Sequence, residues 1–288
     1  MSDGMNRREA LAGMAAIAGA GLAAPGVAHA QERDTPLSGR LKQSVCKWCY
    51  RDLSVAELAT LAKRIGLYSV ELLGPDEWPI VQEAGLTCAM ANGPGGIPAG
   101  WNEPRRHDRL VEGSEELLPQ IAAAGLPNMI VFSGNRRGMN DAEGIRNCAS
   151  GLRRIMPLAE ELNVTVCMEL LNSKRDHKDY MCDHTPWGVA LVEEVGSPRF
   201  KLLYDIYHMQ IMEGDLIQTC LDNLAHIGHF HTGGVPGRNE IDETQELNYR
   251  RICEAIVEAG YTGYLGQEFI PTRDPAESLA QAARICDV

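Results

Sequence analysis

The chain has 288 residues, of which 44% are hydrophobic and 23% are charged, so it is long enough to bury a large core. Its formal net charge of −12 argues against a protein whose main task is to hold nucleic acid, because that task requires a basic surface. Length alone would permit two domains, but barrel folds of about 200–250 residues commonly form one.

The first thirty residues have the form of an export signal. The pair Arg7-Arg8 precedes an apolar run over 10–24, and Ala28-His29-Ala30 supplies a small-x-small cleavage pattern. The arginine pair is typical of the twin-arginine route, although Glu9 stands where a bulky apolar residue is often expected. An uncleaved anchor is the alternative, but the run is short for a membrane span. We therefore expect a signal peptide over 1–30, a periplasmic location, and no membrane segment in the mature protein.

Nine cysteines are many for an exported protein, and their number is odd. They do not cluster as a disulfide framework, and several lie inside apolar runs, where a thiol behaves as a small core residue. Only Cys46 and Cys49 have a spacing that suggests redox or metal chemistry. The alternative is that they form the end of a strand and its loop. The spacing leaves open whether the two thiols form a disulfide.

Short apolar runs alternate with amphipathic runs along the rest of the chain. We expect a flexible polar lead over 31–40 and one folded domain over 41–288. Ser54 and Glu57 have the spacing of a helix-capping box. Strands are predicted at 42–48, 68–73, 86–91, 128–132, 164–170, 200–205, 227–231 and 264–269. Helices are predicted at 55–65, 78–84, 107–124, 141–162, 186–195, 215–224, 247–259 and 275–286, and a loop is predicted at 206–214.

Eight strand–helix units in succession predict an α/β fold with a single (β/α)8 TIM barrel. A doubly wound open sheet is the alternative. No Gly-x-Gly-x-x-Gly motif follows the first predicted strand, which disfavours that alternative. The loops after the strands are longer than those before them. This asymmetry predicts a functional site at the C-terminal mouth of the barrel.

The last four predicted strands each carry an acidic or imidazole group at the C-terminal end, namely Glu169, Asp205, His231 and Glu268. Because these strands are neighbours in a closed barrel, the four side chains should converge. Three carboxylates in a half-buried mouth repel one another unless a cation compensates them. Three oxygen ligands and an imidazole suit one divalent ion, Mn²⁺ or Mg²⁺, with Co²⁺ as a further candidate. The alternative is structural, with each carboxylate paired to Lys or Arg.

Aromatic and thiol residues form a second group of candidates, namely Cys46, Trp48, Cys49, Trp101 and Trp187. One interpretation is that they line a sugar-sized pocket in which Trp48 contacts the substrate. The other is ordinary packing, and the sequence leaves both open. His229 lies one layer deeper than His231 on the same strand face, so we expect it to be a core histidine.

Several motifs resemble the hydroxypyruvate isomerase family, a branch of the xylose isomerase-like TIM barrels, which also include the tagatose 3-epimerase type and endonuclease IV. The matching segments are Glu169-Leu-Leu-Asn172, the run from Tyr204 to Asp215, Val235-Pro-Gly-Arg238, the run from Gly266 to Pro271, and Pro98-Ala-Gly-Trp101. The resemblance implies that Glu169 and Glu268 bind the metal and also move the proton, and that Asp205 is a ligand. It further implies that His208 holds a substrate oxygen and that Arg238 lies at the substrate.

The resemblance implies an enzyme that enolises a small hydroxy-carbonyl compound or keto-sugar by proton transfer. His231 stands where hydroxypyruvate isomerases commonly have Gln and the epimerases have His, so isomerisation and epimerisation both stay open. An export signal is also unusual for an enzyme of central metabolism. Two further alternatives are a keto-glycoside lyase or hydratase and a non-catalytic exported sugar-binding protein. The expected partner is a small molecule, and a homo-oligomer stays open.

Overall fold

The computed structural model describes residues 36–288. The signal peptide expected over 1–30 and the first half of the lead therefore lie outside the described residues. At the start of the described chain, the backbone N–H of Ser38 donates to Asp287 Oδ1 at 2.7 Å. The beginning and the end of the folded domain therefore meet.

Seven parallel strands form one sheet in the order β2-β1-β7-β6-β5-β4-β3. Their bounds are Lys42–Cys46 (β1), Ser69–Glu71 (β2), Asn128–Val131 (β3), Thr165–Glu169 (β4), Phe200–Asp205 (β5), Ile227–Thr232 (β6) and Tyr264–Gln267 (β7). The strands are almost entirely buried, because helices cover the outer face of the sheet and side chains fill the inner face. The first and last strands pair with each other, which places the beginning and the end of the described domain side by side.

The segment 87–91 lies between β2 and β3 and completes the barrel. It hydrogen-bonds to both neighbours, since Leu72 N donates to Met90 O at 2.8 Å and Ile130 N donates to Ala91 O at 3.0 Å. Side chains interrupt its ladder at Ala89, whose N–H donates to Ser69 Oγ and whose carbonyl accepts from Asn128 Nδ2. The strand predicted at 86–91 is therefore present as isolated β-bridges to its two neighbours and not as a continuous strand. The predicted TIM barrel is confirmed.

Ten α-helices cover the outside and the mouth of the described barrel. Their bounds are Val55–Ile65 (α1), Trp78–Glu83 (α2), His107–Ala123 (α3), Asp141–Leu152 (α4), Met156–Glu161 (α5), Thr185–Val195 (α6), Ile206–Met212 (α7), Leu216–Asn223 (α8), Tyr249–Glu258 (α9) and Pro275–Ile285 (α10). The capping box predicted at Ser54 and Glu57 is present at α1. No helix among the residues that the structure describes is long and apolar enough to cross a membrane.

One helix prediction and one loop prediction were wrong. The helix predicted over 141–162 is divided into α4 and α5, because Pro157 near the start of α5 has no N–H to donate to the preceding turn. The loop predicted over 206–214 is mostly α7. Asp205 caps this helix by accepting the backbone N–H of His208 at 3.0 Å, so His208 lies in a helix.

Candidate metal and catalytic site

The structure brings the four predicted ligands together at the mouth of the barrel. Glu169 and Asp205 end β4 and β5, His231 is the penultimate residue of β6, and Glu268 directly follows β7. All four side chains are buried, and one ligand atom from each lies within 4.8 Å of the others. The parallel register of adjacent strands produces this convergence, because equivalent positions end at the same level.

His231 presents an unpartnered nitrogen to this cluster. Its Nδ1 lies 2.7 Å from Glu268 Oε2 and 3.5 Å from Glu169 Oε1. Nevertheless Nδ1 has no aligned hydrogen-bond partner among the described residues, although it is buried. A buried nitrogen that faces carboxylates without a hydrogen bond suits metal ligation. Three carboxylates and this imidazole are a donor set that fits Mn²⁺, Mg²⁺ or Co²⁺.

Arg238 supplies positive charge to the same cluster. Its Nη2 donates to Asp205 Oδ2 at 2.7 Å and also to Glu268 Oε2, and its Nε donates to the carbonyl of Glu268 at 3.0 Å. The guanidinium lies between two aromatic rings, 5.4 Å from the centre of Trp48 and 4.9 Å from that of Tyr207. These contacts hold one arginine against two of the predicted ligands.

The loop that carries Arg238 is fastened to the loop after β7. The backbone carbonyl of Arg238 accepts from Ile270 N at 2.7 Å. The Glu240 carboxylate accepts from the backbone N–H and the hydroxyl of Thr272, both at 2.8 Å, and from the Ser278 hydroxyl at 2.8 Å. Burial opposes ionisation of Glu240, but these hydrogen bonds outweigh it and hold its pKa at about 2. Glu240, which joins the two loops, is therefore an ionised carboxylate across the neutral pH range.

Trp48 contacts one of the predicted catalytic groups directly. It lies in the 3₁₀ turn Lys47–Cys49 after β1, and its Nε1 donates to Glu268 Oε1 at 2.5 Å. The other two tryptophans of the predicted pocket, Trp101 and Trp187, are packed in the hydrophobic core. For those two residues the structure favours the other interpretation, ordinary packing, because both are buried in the core.

The nine cysteines are free and buried thiols. Cys46 and Cys49 are among them, so the structure contains no disulfide between this pair. Cys46 nevertheless lies close to the site, because its Sγ is 3.7 Å from His231 Nε2 and 3.6 Å from Glu71 Oε1. Burial raises the pKa of Cys46 well above its usual value, which favours the protonated thiol.

His208 points into the site from α7. Its Nδ1 lies 2.6 Å from Asn172 Nδ2, and its Nε2 lies 2.6 Å from Arg238 Nη1. Burial, followed by the charge of Arg238, lowers the pKa of His208 well below its usual value, so the imidazole is neutral. Both neighbours of this ring are hydrogen-bond donors, but a neutral imidazole has only one accepting nitrogen.

The three buried carboxylates differ in their affinity for protons. Burial raises the pKa of Glu169 and raises that of Asp205 to about 7, in spite of the Arg238 charge beside Asp205. Burial acts on Glu268 in the same direction, but Arg238 and His231 outweigh it and hold the pKa of Glu268 well below its usual value. Glu268 is therefore the most strongly ionised of the three.

Glu71 is a member of this neighbourhood that the sequence analysis missed. It ends β2, is fully buried, and accepts from His231 and from His229 through Oε1. His229 is a core histidine, as predicted. Glu71 ends an apolar strand in the same way as the predicted ligands do. Its strand belongs to the second unit, however, and the sequence gives no sign that it reaches across the barrel to β6.

Comparisons with known proteins agree with the fold. Residues 57–286 match the family described as the xylose isomerase-like TIM barrel. A 2-oxo-tetronate isomerase of Cupriavidus necator is 40% identical over 245 residues, which cover 80% of this chain and 92% of that protein. A human putative hydroxypyruvate isomerase is 26% identical over 81% of this chain and 90% of its own. The crystal structure of an AP endonuclease, family 2, from Brucella melitensis superposes with a TM-score of 0.77 at 24% identity, over 85% of this chain and 99% of that one.

Proposed function

The chain belongs to the xylose isomerase-like TIM barrel family, and from this membership and the cluster at the mouth we infer that it is a metal-dependent isomerase or epimerase. The observation that carries the metal dependence is the buried set of three carboxylates around His231 Nδ1. We propose that the substrate is a small hydroxy-carbonyl compound or a keto-sugar. The proposed reaction removes a proton from one carbon and returns a proton either to the neighbouring carbon or to the same carbon.

One divalent ion, Mn²⁺ or Mg²⁺ with Co²⁺ as a third candidate, would be held by four residues, namely Glu169, Asp205, His231 and Glu268. When bound, such an ion polarises a carbonyl and stabilises negative charge on its oxygen. The protein contributes the geometry, because each ligand stands at the end of a rigid strand rather than on a free loop.

Glu169 and Glu268 are the groups that we propose move the proton. They follow β4 and β7, and β5 and β6 lie between these strands in the sheet, so the two carboxylates approach the centre from different sides. One removes a proton from carbon and the other returns it. Return to the neighbouring carbon, with the hydroxyl proton passing to the former carbonyl oxygen, is isomerisation, whereas return to the opposite face of the same carbon is epimerisation.

His208 and Arg238 form a pair of donors that fits one substrate oxygen. Asn172 cannot present its oxygen to His208, because Oδ1 already accepts the backbone N–H groups of Arg175 and Asp176 at 3.0 Å. Asn172 Nδ2 therefore offers a donor to His208 Nδ1, as Arg238 Nη1 does to Nε2, and a neutral imidazole can accept from only one of them. With the imidazole proton on Nε2, an oxygen that approaches this edge would accept from both His208 and Arg238.

The relative with 40% identity is a 2-oxo-tetronate isomerase, so a 2-oxo acid of sugar type is the first substrate to test. The imidazole of His231 at a ligand position favours epimerisation of a keto-sugar as the second candidate. The decisive assay mixes the enzyme, freed of metal and then given Mn²⁺, Mg²⁺ or Co²⁺, with each substrate class in deuterated water. We expect metal-dependent incorporation of deuterium at the carbon beside the carbonyl.

Three other results of this assay would contradict the proposal, each in a different way. Loss of a leaving group together with exchange would indicate a keto-glycoside lyase or hydratase. Metal-independent binding of a sugar with no exchange would indicate a binding protein. Exchange in the presence of a chelator would remove the metal from the mechanism.

We also propose that the chain is exported by the twin-arginine route, since Arg7-Arg8 and the small-x-small pattern at Ala28-His29-Ala30 support it. The substrate would then be met outside the cytoplasm. Cell fractionation, with the N-terminus of the recovered protein sequenced, tests both the location and cleavage after Ala30.

A further inference from the structure

Glu71 is a buried carboxylate to which the proposed chemistry gives no task. It is fully buried at the end of β2 and contacts His231 Nε2, whereas two of the other three proposed ligands lie near His231 Nδ1. A carboxylate at such a position is costly to bury unless hydrogen bonds stabilise it. Hydrogen bonds from the imidazoles of His229 and His231 stabilise it here.

All the hydrogen bonds of this carboxylate converge on one oxygen. Oε1 lies 2.7 Å from His231 Nε2, 2.9 Å from His229 Nε2 and 3.6 Å from the Cys46 thiol, which donates to it. Oε2 has no hydrogen-bond partner among the described residues, although it is buried. Oε1 of Glu71 therefore accepts from two imidazole rings, whereas Oε2 has no hydrogen bond among the described residues.

The chain makes room for this arrangement at Gly266 on β7. A Cβ at that position would overlap Glu71 Oε1 and would lie 2.7 Å from His231 Cδ2. Gly266 is directly opposite His231 in the parallel register of β6 and β7. A glycine inside a buried strand weakens that strand unless another group must approach closely, and here the approaching groups are Glu71 and His231.

We propose that Glu71 is a positioning residue that fixes the tautomer and the ring orientation of His231. An acceptor on Nε2 keeps a proton there, so that Nδ1 is the nitrogen that would ligate a metal beside Glu169, Asp205 and Glu268. A histidine that ligates a metal commonly donates its other N–H to a carboxylate, which orients the ring and makes it a better donor. The inference rests on the proposed metal site, but it concerns a residue outside that set of ligands.

Metal affinity tests the proposal without reference to catalysis. Mn²⁺ is titrated calorimetrically into the metal-free protein and into Glu71→Ala, and Co²⁺ binding is followed by its visible spectrum, which reports the ligand geometry. We expect Glu71→Ala to bind Mn²⁺ about 10- to 100-fold more weakly. Glu71→Gln keeps an acceptor oxygen of the same length, so it should recover most of that loss.

His229→Gln is the matched control. It removes the other imidazole that donates to Glu71 Oε1 and thereby disturbs the same buried cluster, but it leaves the contact with His231 in place. We expect a fall in Tm similar to that of Glu71→Ala, with Mn²⁺ affinity within about threefold of wild type. A fall in metal affinity that is equal in both variants would assign Glu71 a purely structural role and overturn the proposal.

Three further outcomes separate this inference from the proposed function. Wild-type affinity and an unchanged Co²⁺ spectrum in Glu71→Ala would overturn the inference alone. Two Mn²⁺ ions per wild-type chain, one of them lost in His229→Gln, would also overturn it, because His231 Nε2 would then be a ligand rather than a donor. Failure of the wild-type protein to bind any divalent ion would overturn the metal dependence of the proposed function and this inference with it.

Discussion

Trp48→Phe tests whether the proton-transferring carboxylate depends on its neighbours for alignment. The substitution keeps an aromatic ring beside Arg238 but removes the Nε1 donor that lies 2.5 Å from Glu268 Oε1. A hydrogen bond to a charged group contributes about 1.5–3 kcal/mol. If the whole of that is lost in the transition state, kcat falls by about 10- to 150-fold, since 1.36 kcal/mol corresponds to about tenfold.

The pH profile gives an independent measure of the same contact. The indole N–H is one of the groups that lower the pKa of Glu268, after Arg238 and His231. Its removal destabilises the ionised carboxylate and therefore raises this pKa. Because we propose that Glu268 acts in its ionised form, the acidic limb of kcat/KM should move to higher pH in Trp48→Phe.

The assay is solvent deuterium exchange together with kcat, measured at saturating Mn²⁺ so that any change in metal affinity does not enter. Trp187→Phe is the matched control, because the indole Nε1 of Trp187 is buried without a hydrogen-bond partner among the described residues. We expect this control to keep wild-type exchange. An exchange rate for Trp48→Phe within about twofold of wild type would refute the argument, since a lost charge-assisted hydrogen bond has a larger effect.

Three other variants test separate parts of the molecule. Glu268→Gln keeps the shape but not the base, so C–H exchange should fall by at least about 100-fold while circular dichroism stays unchanged; near-wild-type exchange would remove Glu268 from the chemistry. Ser54→Ala deletes the cap of α1, whose side-chain hydrogen bonds are with Glu57, and should lower the free energy of unfolding by about 1 kcal/mol in urea titrations with kcat unchanged. Replacement of Arg7-Arg8 by Lys-Lys should retain the protein in the cytoplasm, and equal periplasmic yield would contradict the proposed export route.

The barrel and the four ligand positions can be predicted from the sequence because both follow from patterns within single strand–helix units. Alternation of apolar runs and capped helices fixes eight units, and parallel strands must end at the same mouth. Glu169, Asp205, His231 and Glu268 are visible because each ends an apolar run. The register of adjacent parallel strands brings these four side chains together, and this register follows from the barrel fold itself.

Contacts across the barrel are the part that the sequence does not predict. Glu71 meets His231 over a separation of 160 residues, and Trp48 meets Glu268 over 220. Neither pair has a periodic pattern that would indicate it. The helix Ile206–Met212 was missed for another reason. Its N-cap is Asp205, which is also the last residue of β5, so no separate capping residue marks where the strand ends and the helix begins.

The contact between Ser38 and Asp287 has a consequence for how the site is assembled during synthesis. Trp48 precedes Glu268 by 220 residues, so the nascent chain holds an incomplete mouth until the last strand of the barrel has emerged. The beginning and the end of the folded domain then meet, with Ser38 N 2.7 Å from Asp287 Oδ1. A circularly permuted chain, joined across this contact by a short linker and opened at the exposed turn near Asn163, should therefore form the same barrel with a different order of synthesis.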